Sequence, residues 1–213
     1  VRVLQEILND LGIAVFAASG ALLGVRKDFD LWGIVTVGVL TGVGGGILRD
    51  LLLGITPPTS VQNWPPIIVA AVASLAIFFF HPTFTQLRRS VLILDAIGMG
   101  LFASSGAAVA IDQHVSAFAA TLVGLLTAVG GGILRDVLAN EIPLLLQPAD
   151  LYAVPALLGA GVVAVGGTLS SVPIWVWLII GTAVATGLRV AGLAFGWRLP
   201  TAGPGWRRRD AGT

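Results

Sequence analysis

Thr41–Leu52 reads TGVGGGILRDLL and Thr127–Leu138 reads TAVGGGILRDVL, identical at ten of twelve positions and 86 residues apart. The same offset lays FAASGA (Phe16–Ala21) on FASSGA (Phe102–Ala107) and Pro57 on Pro143. This is an internal duplication. Each copy holds three apolar stretches, and because three is odd a second copy must enter the membrane from the opposite face. The expected architecture is a pair of inverted repeats with its functional site near the bilayer midplane.

The composition around these motifs is that of a membrane protein. The 213 residues are 56% hydrophobic and only 11% charged, against roughly 25% charged in soluble domains. Mean hydropathy is +0.94. With about 20 apolar residues needed per crossing, seven spans are predicted: Leu4–Gly24, Leu31–Leu53, Pro65–Phe80, Val91–Ile111, Val115–Ala139, Leu151–Leu169 and Ile174–Phe195. The fold class is thus an all-α membrane protein of two inverted three-helix repeats plus a seventh helix. Residues 1–196 form the transmembrane domain, with repeat one at about 4–80, repeat two at about 91–169 and the seventh helix at about 174–195. Residues 197–213 form a basic, disordered tail. The first span carries Glu6 and Asp10 at its start and no basic cluster, so it reads as retained rather than as a cleaved signal. Zero cysteines exclude disulfides and thiolate metal sites, and His81 and His114 alone cannot make a histidine-rich one. No metal centre, cofactor or nucleic-acid partner is expected. The chain has no HExxH or GxSxG, so an intramembrane hydrolase lacks its usual parts.

Basic residues near span ends set orientation. Arg26, Lys27, Arg88, Arg89, Arg198, Arg207, Arg208 and Arg209 fall on one side and only Arg2 on the other. The C-terminus is expected to be cytoplasmic and the N-terminus outside. The tail arginines serve as this topology signal, with binding to anionic membrane lipid as the sharper alternative.

Gly44, Gly45 and Gly46 in span 2 and Gly130, Gly131 and Gly132 in span 5 lie about halfway through their spans. Each glycine costs about 1 kcal/mol against alanine in a helix, so a kink or unwound turn is expected, baring carbonyls that suit a partly dehydrated cation. The competing reading is packing. Gly38, Gly42 and Gly46, with Gly124, Ala128 and Gly132 as counterpart, form small-residue faces that let helices approach closely.

Arg49–Asp50 and Arg135–Asp136 follow the glycines at a depth where an unpaired charge is expensive, at least about 2.5 kcal/mol at the helix centre and somewhat less nearer the interface. Neighbours on a helix point about 100° apart, so each arginine is expected to seek an acid on another helix: Asp10 for Arg49 and Asp95 for Arg135. These are either structural ion pairs or gates on the two sides of a midplane constriction. Arg189 in the seventh span is expected to snorkel toward the cytoplasmic surface.

The paired GVGGGILRD and AVGGGILRD motifs, the three-plus-three-plus-one layout and the outside N-terminus resemble the prokaryotic branch of the trimeric intracellular cation (TRIC) channel family, over about Leu4–Phe195. The resemblance implies a homotrimer in a prokaryotic plasma membrane. It implies one pathway per protomer for potassium and other monovalent cations, lined by kinked spans 2 and 5. By position, Gly44–Gly46 and Gly130–Gly132 match the kinks, and Arg49, Asp50, Arg135 and Asp136 their charged ends. Span 4 carries no Lys or Arg, unlike the animal channels. Because bacterial relatives of this type are also described as glycine transporters, a secondary carrier for glycine or another small amino acid is the alternative.

Overall fold

The computed structural model describes residues 2–81, 87–147, 151–197 and 199. These form helices α1 (Arg2–Arg26), α2 (Leu31–Leu52), α3 (Thr59–Gln62), α4 (Pro65–Phe80), α5 (Leu87–Asp112), α6 (Ala117–Leu138), α7 (Ala153–Leu169) and α8 (Ile174–Phe195), with a 3₁₀ turn at Leu144–Leu146. Spans 2 and 5 of the sequence are therefore α2 and α6. Of the 197–213 tail, Arg198, Arg207, Arg208 and Arg209 lie outside the described residues.

Local chemistry places the helix ends. Asp30 Oδ1 accepts from the Gly33 amide at 2.7 Å and Ser116 Oγ from the Ala119 amide at 3.3 Å, each capping its helix. Pro65 opens α4, and Gly196 closes α8 with φ 65°, a left-handed turn that favours glycine. Among the described residues, five helices (α1, α2, α5, α6 and α8) are long and apolar enough to cross a membrane, while α4 and α7 are shorter apolar helices. Trp32, Phe80 and Leu169 stand 79%, 84% and 81% exposed. Water would not tolerate so large an apolar surface, whereas lipid does.

The core sits around α1 and α5. The first packs on α2, α4 and α5, the second on α6, α7 and α8, and α2 and α6 meet each other. The apolar window of α5 is 78% buried against 28% for α8, so α5 is central and α8 peripheral.

The two halves repeat in detail. Helix ends Arg26 and Asp112, Leu31 and Ala117, and Leu52 and Leu138 all fall 86 residues apart. So do the left-handed turn residues Asp28 and His114, and Gly54 and Asn140. Contacts are exchanged reciprocally: Phe102 covers Gly12 and Phe16 covers Gly98, with the two rings edge to face at 5.1 Å. One expectation needs correcting. Pro143 answers to Pro58, not Pro57, for each of these two prolines precedes the short helical turn of its loop. Gln62 Nε2 donates to Pro57 O as Gln147 Nε2 donates to Ile142 O. The first loop is one residue longer, so the offset drops to 85 beyond the turn at Ile55 and Glu141.

Candidate functional site: a glycine seam between two charged clusters

The contact between α2 and α6 is built from the glycine motifs. A Cβ on Gly45 would fall on the Thr127 carbonyl oxygen, and one on Gly131 on the Thr41 carbonyl oxygen. Leu134 lies over Gly44 and Leu48 over Gly130. The Thr41 and Thr127 hydroxyls donate back to Val37 O and Val123 O at 2.6 Å, so neither reaches across the seam. Both helices stay α-helical through all three glycines, and the expected unwound turn with bared carbonyls is absent. The physical reason is that the missing side chains are used for close backbone approach, which offsets the helix-propensity cost.

The third glycines differ. Around Gly46 the nearest groups to a new Cβ are Arg49 Nη2 and Ser60 Oγ, both at 3.8 Å. At Gly132 the Tyr152 hydroxyl would be 2.6 Å away and Asp95 Oδ1 3.3 Å.

Each motif ends in a buried charge cluster. Arg135 and Asp95 are fully buried, and Arg135 Nη1 donates to Asp95 Oδ1 at 2.7 Å and to Ser19 Oγ at 2.7 Å. Its Nε donates to Asp136 Oδ1 at 2.8 Å. Tyr152 donates its hydroxyl to the same Asp95 Oδ1 at 3.0 Å, and the Arg189 guanidinium stacks 4.8 Å from the centre of the Tyr152 ring. In the first copy, Arg49 Nε donates to Asp50 Oδ1 at 2.8 Å, and its Nη1 reaches Asn9 Oδ1 at 3.4 Å.

Three expectations change here. Asp10 does not face Arg49: the residue 86 positions before Asp95 is Asn9, and Asn9 takes the place assigned to Asp10. Each arginine also binds the acid next to it in sequence. The chain turns immediately after α2 and α6, so a loop amide captures one carboxylate oxygen, Thr59 N to Asp50 Oδ2 and Leu144 N to Asp136 Oδ2. That leaves Oδ1 beside the folded-back guanidinium. Arg189 does not snorkel: it is fully buried and donates to Leu151 O at 3.4 Å. Sequence reasoning missed Tyr152 and Ser19, and it placed Arg189 at the surface instead of beside Tyr152. The one available signal was that Tyr152 is the sole tyrosine of the chain, at a span start.

A cavity of about 480 Å³ opens at the Arg135 end, lined by Arg26, Arg88, Arg135, Asp136, Glu141 and Gln147 among others. Glu141 bridges Arg26 and Lys27, each at 3.0 Å. Its counterpart in the first copy is Ile55, whose side chain cannot make such a bridge at the opposite end. There, Gln5 Nε2 donates to Asp112 Oδ2 at 3.2 Å.

The family model described as "Glycine transporter" matches residues 6–82 and 92–168, one match per copy. The chain is 35% identical to the inner membrane protein YadS of Escherichia coli K12 over 195 residues, covering 91% of this chain and 94% of that one. It is similar to a chain solved for the structural basis of conductance through TRIC cation channels, with 43% identity, a TM-score of 0.82, and coverage of 93% and 97%. It also superposes on the trimeric intracellular cation channel orthologue from Rhodobacter sphaeroides, at 37% identity and a TM-score of 0.85, covering 91% and 99%.

Proposed function

The chain belongs to the prokaryotic branch of the TRIC family, and from that membership and the site geometry we propose that it is a monovalent-cation channel permeable to potassium. The observation that carries the reading is the glycine seam flanked on each side by an Arg–Asp cluster, at Arg49–Asp50 and Arg135–Asp136. A seam held by backbone contact at Gly45 and Gly131, with only Leu134 and Leu48 seated over the neighbouring glycines, can part by a small helix shift. It would then expose the carbonyls of α2 and α6 along one protomer's pathway, which suit a cation. The neighbouring carboxylates offset the arginines that would otherwise repel it.

The two halves are inverted copies in this reading, supported by the reciprocal Phe16–Gly98 and Phe102–Gly12 contacts. The bundle end carrying Arg26, Lys27 and Arg88 is cytoplasmic, with the C-terminus on that side and the N-terminus outside, in a prokaryotic plasma membrane. The assembly is a homotrimer, as in the Rhodobacter relative's description.

Purified protein in planar bilayers under a potassium chloride gradient should show discrete current steps with a reversal potential favouring cations. A channel passes ions without a protomer-wide rearrangement for each, whereas a carrier reorients on microseconds to milliseconds or longer. The description of the family model as a glycine transporter favours a second reading, a carrier binding a zwitterion. Silent bilayers together with saturable, gradient-driven glycine uptake into liposomes would establish that reading and end the first.

A further inference from the structure

We propose that Tyr152 is the plug that closes the second half of the pathway, and that Arg189 of the unrepeated helix α8 is the positioning residue that holds it shut. The inference rests on the channel reading and adds two residues to it. Four contacts form a line from the cavity to the seam. Arg135 lines the cavity, Asp95 accepts from Arg135, Tyr152 donates to Asp95, and the Tyr152 hydroxyl occupies the space over Gly132.

Among the described residues the first copy has no such plug: a Cβ added at Gly46 would meet nothing beyond its own helix backbone nearer than 3.8 Å, and Asn9 stands in place of Asp95. The two glycine motifs are nearly identical in sequence, so the difference comes from what α7 and α8 bring to the second one.

Charge explains why a helix outside the repeat is recruited. Asp95 and Asp136 give the second cluster two buried carboxylates against the single guanidinium of Arg135, whereas Asp50 and Arg49 balance in the first. Arg189, fully buried against the Tyr152 ring, supplies the second positive charge. Its bond to Leu151 O also fixes the residue before the tyrosine. The guanidinium therefore sets the ring, the ring sets the hydroxyl, and the hydroxyl fills the gap above Gly132. Movement of α8, the least buried of the five long apolar helices, would withdraw the plug.

The test uses the full-length protein and two readouts. In bilayers, Tyr152→Phe removes the hydroxyl while keeping the ring under Arg189. It should raise the open fraction about three- to tenfold, what the loss of one ordinary hydrogen bond gives, with unit conductance unchanged. Arg189→Gln should act in the same direction, Arg189→Lys should restore wild-type behaviour in part, and the double variant should go no further than Tyr152→Phe.

Independently of current, Leu48→Cys places a single thiol in a chain without native cysteine. Leu48 lies over Gly130 on the seam, and Gly130 is two residues deeper along α6 than Gly132, about 3 Å. A membrane-impermeant methanethiosulfonate reagent should label that thiol faster in the Tyr152→Phe and Arg189→Gln backgrounds than in otherwise wild-type protein. Unchanged labelling in variants that remain monodisperse overturns the plug, whatever the currents do. Altered unit conductance at constant open fraction also overturns it, making Tyr152 a pore-wall residue instead. Silent bilayers with accelerated labelling would support the plug while the channel reading fails.

Discussion

The carbonyl oxygen of Thr127 sits where a Cβ on Gly45 would have to be, and the Thr41 carbonyl stands in the same relation to Gly131. The two duplicated helices thus touch through backbone at these glycines, while Leu134 and Leu48 seat over Gly44 and Gly130 beside them. The arginines and acids of the motif flank that contact, and four consequences can be measured.

The matched glycines of the two copies should respond differently to the same change. Gly46→Ala meets only Arg49 and Ser60 at 3.8 Å, so it should be neutral or stabilising by up to about 1 kcal/mol, the glycine-to-alanine helix difference. Gly132→Ala drives a methyl against the Tyr152 hydroxyl and should destabilise by about 1–3 kcal/mol, as overpacking does. Thermal unfolding in detergent, followed by tryptophan fluorescence, reads both. Equal shifts would mean that the two sites are equivalent after all.

Replacing Asp95 by alanine removes the interhelical carboxylate from a buried arginine and should cost about 3–5 kcal/mol. Asp10→Ala should change stability by no more than about 0.5 kcal/mol, as at sites without a specific interaction, because Asn9 and Asp50 hold Arg49. The same melts decide this, and a large loss from Asp10→Ala would restore Asp10 as the partner of Arg49.

Arg135→Ala strands two buried carboxylates, Asp95 and Asp136, while Arg49→Ala strands only Asp50, which keeps its bond from the Thr59 amide. Both should alter conductance or open fraction without reversing cation preference, and Arg135→Ala should be the more destabilising. Reversal potentials in a potassium chloride gradient and melting temperatures check the two halves separately. A switch to anion preference would be the wrong sign for both.

Glu141→Gln frees Arg26 and Lys27 at the mouth of the 480 Å³ cavity. These groups are partly exposed, so the stability effect should stay within about 1 kcal/mol. Cation current entering from that side should fall at 0.1 M salt and recover at 1 M, where the Debye length shrinks from about 10 Å to about 3 Å. A deficit of equal size at both salt concentrations would point to a steric rather than an electrostatic role.

Much of the architecture was legible because hydropathy and duplication are properties of the chain itself. Span boundaries such as Leu31, Pro65 and Ile174 coincide with observed helix starts, since caps and prolines fix them locally. The pairing of Arg135 with Asp95 was also legible, from two charges placed at matching depth. The pairing of Arg49 was not. Depth alone does not separate Asp10 from Asn9, which lie about 1.5 Å apart along a helix but about 100° apart around it. The rotation of α1 against α2 made that choice.

The sequence by itself determined a duplicated, all-helical membrane chain with two glycine motifs, each ending in an arginine and an acid. It did so because apolar length, glycine spacing and charge are written residue by residue. Only the tertiary structure decided that the glycines close a seam instead of breaking the helices, and that two nearly identical motifs become unequal sites. The reason is that a motif's surroundings come from distant elements. Tyr152 reaches Gly132 and Asp95, and Arg189 reaches Tyr152, only once α7 and α8 have packed on α5, and nothing in the local pattern of α6 encodes which side chains arrive there.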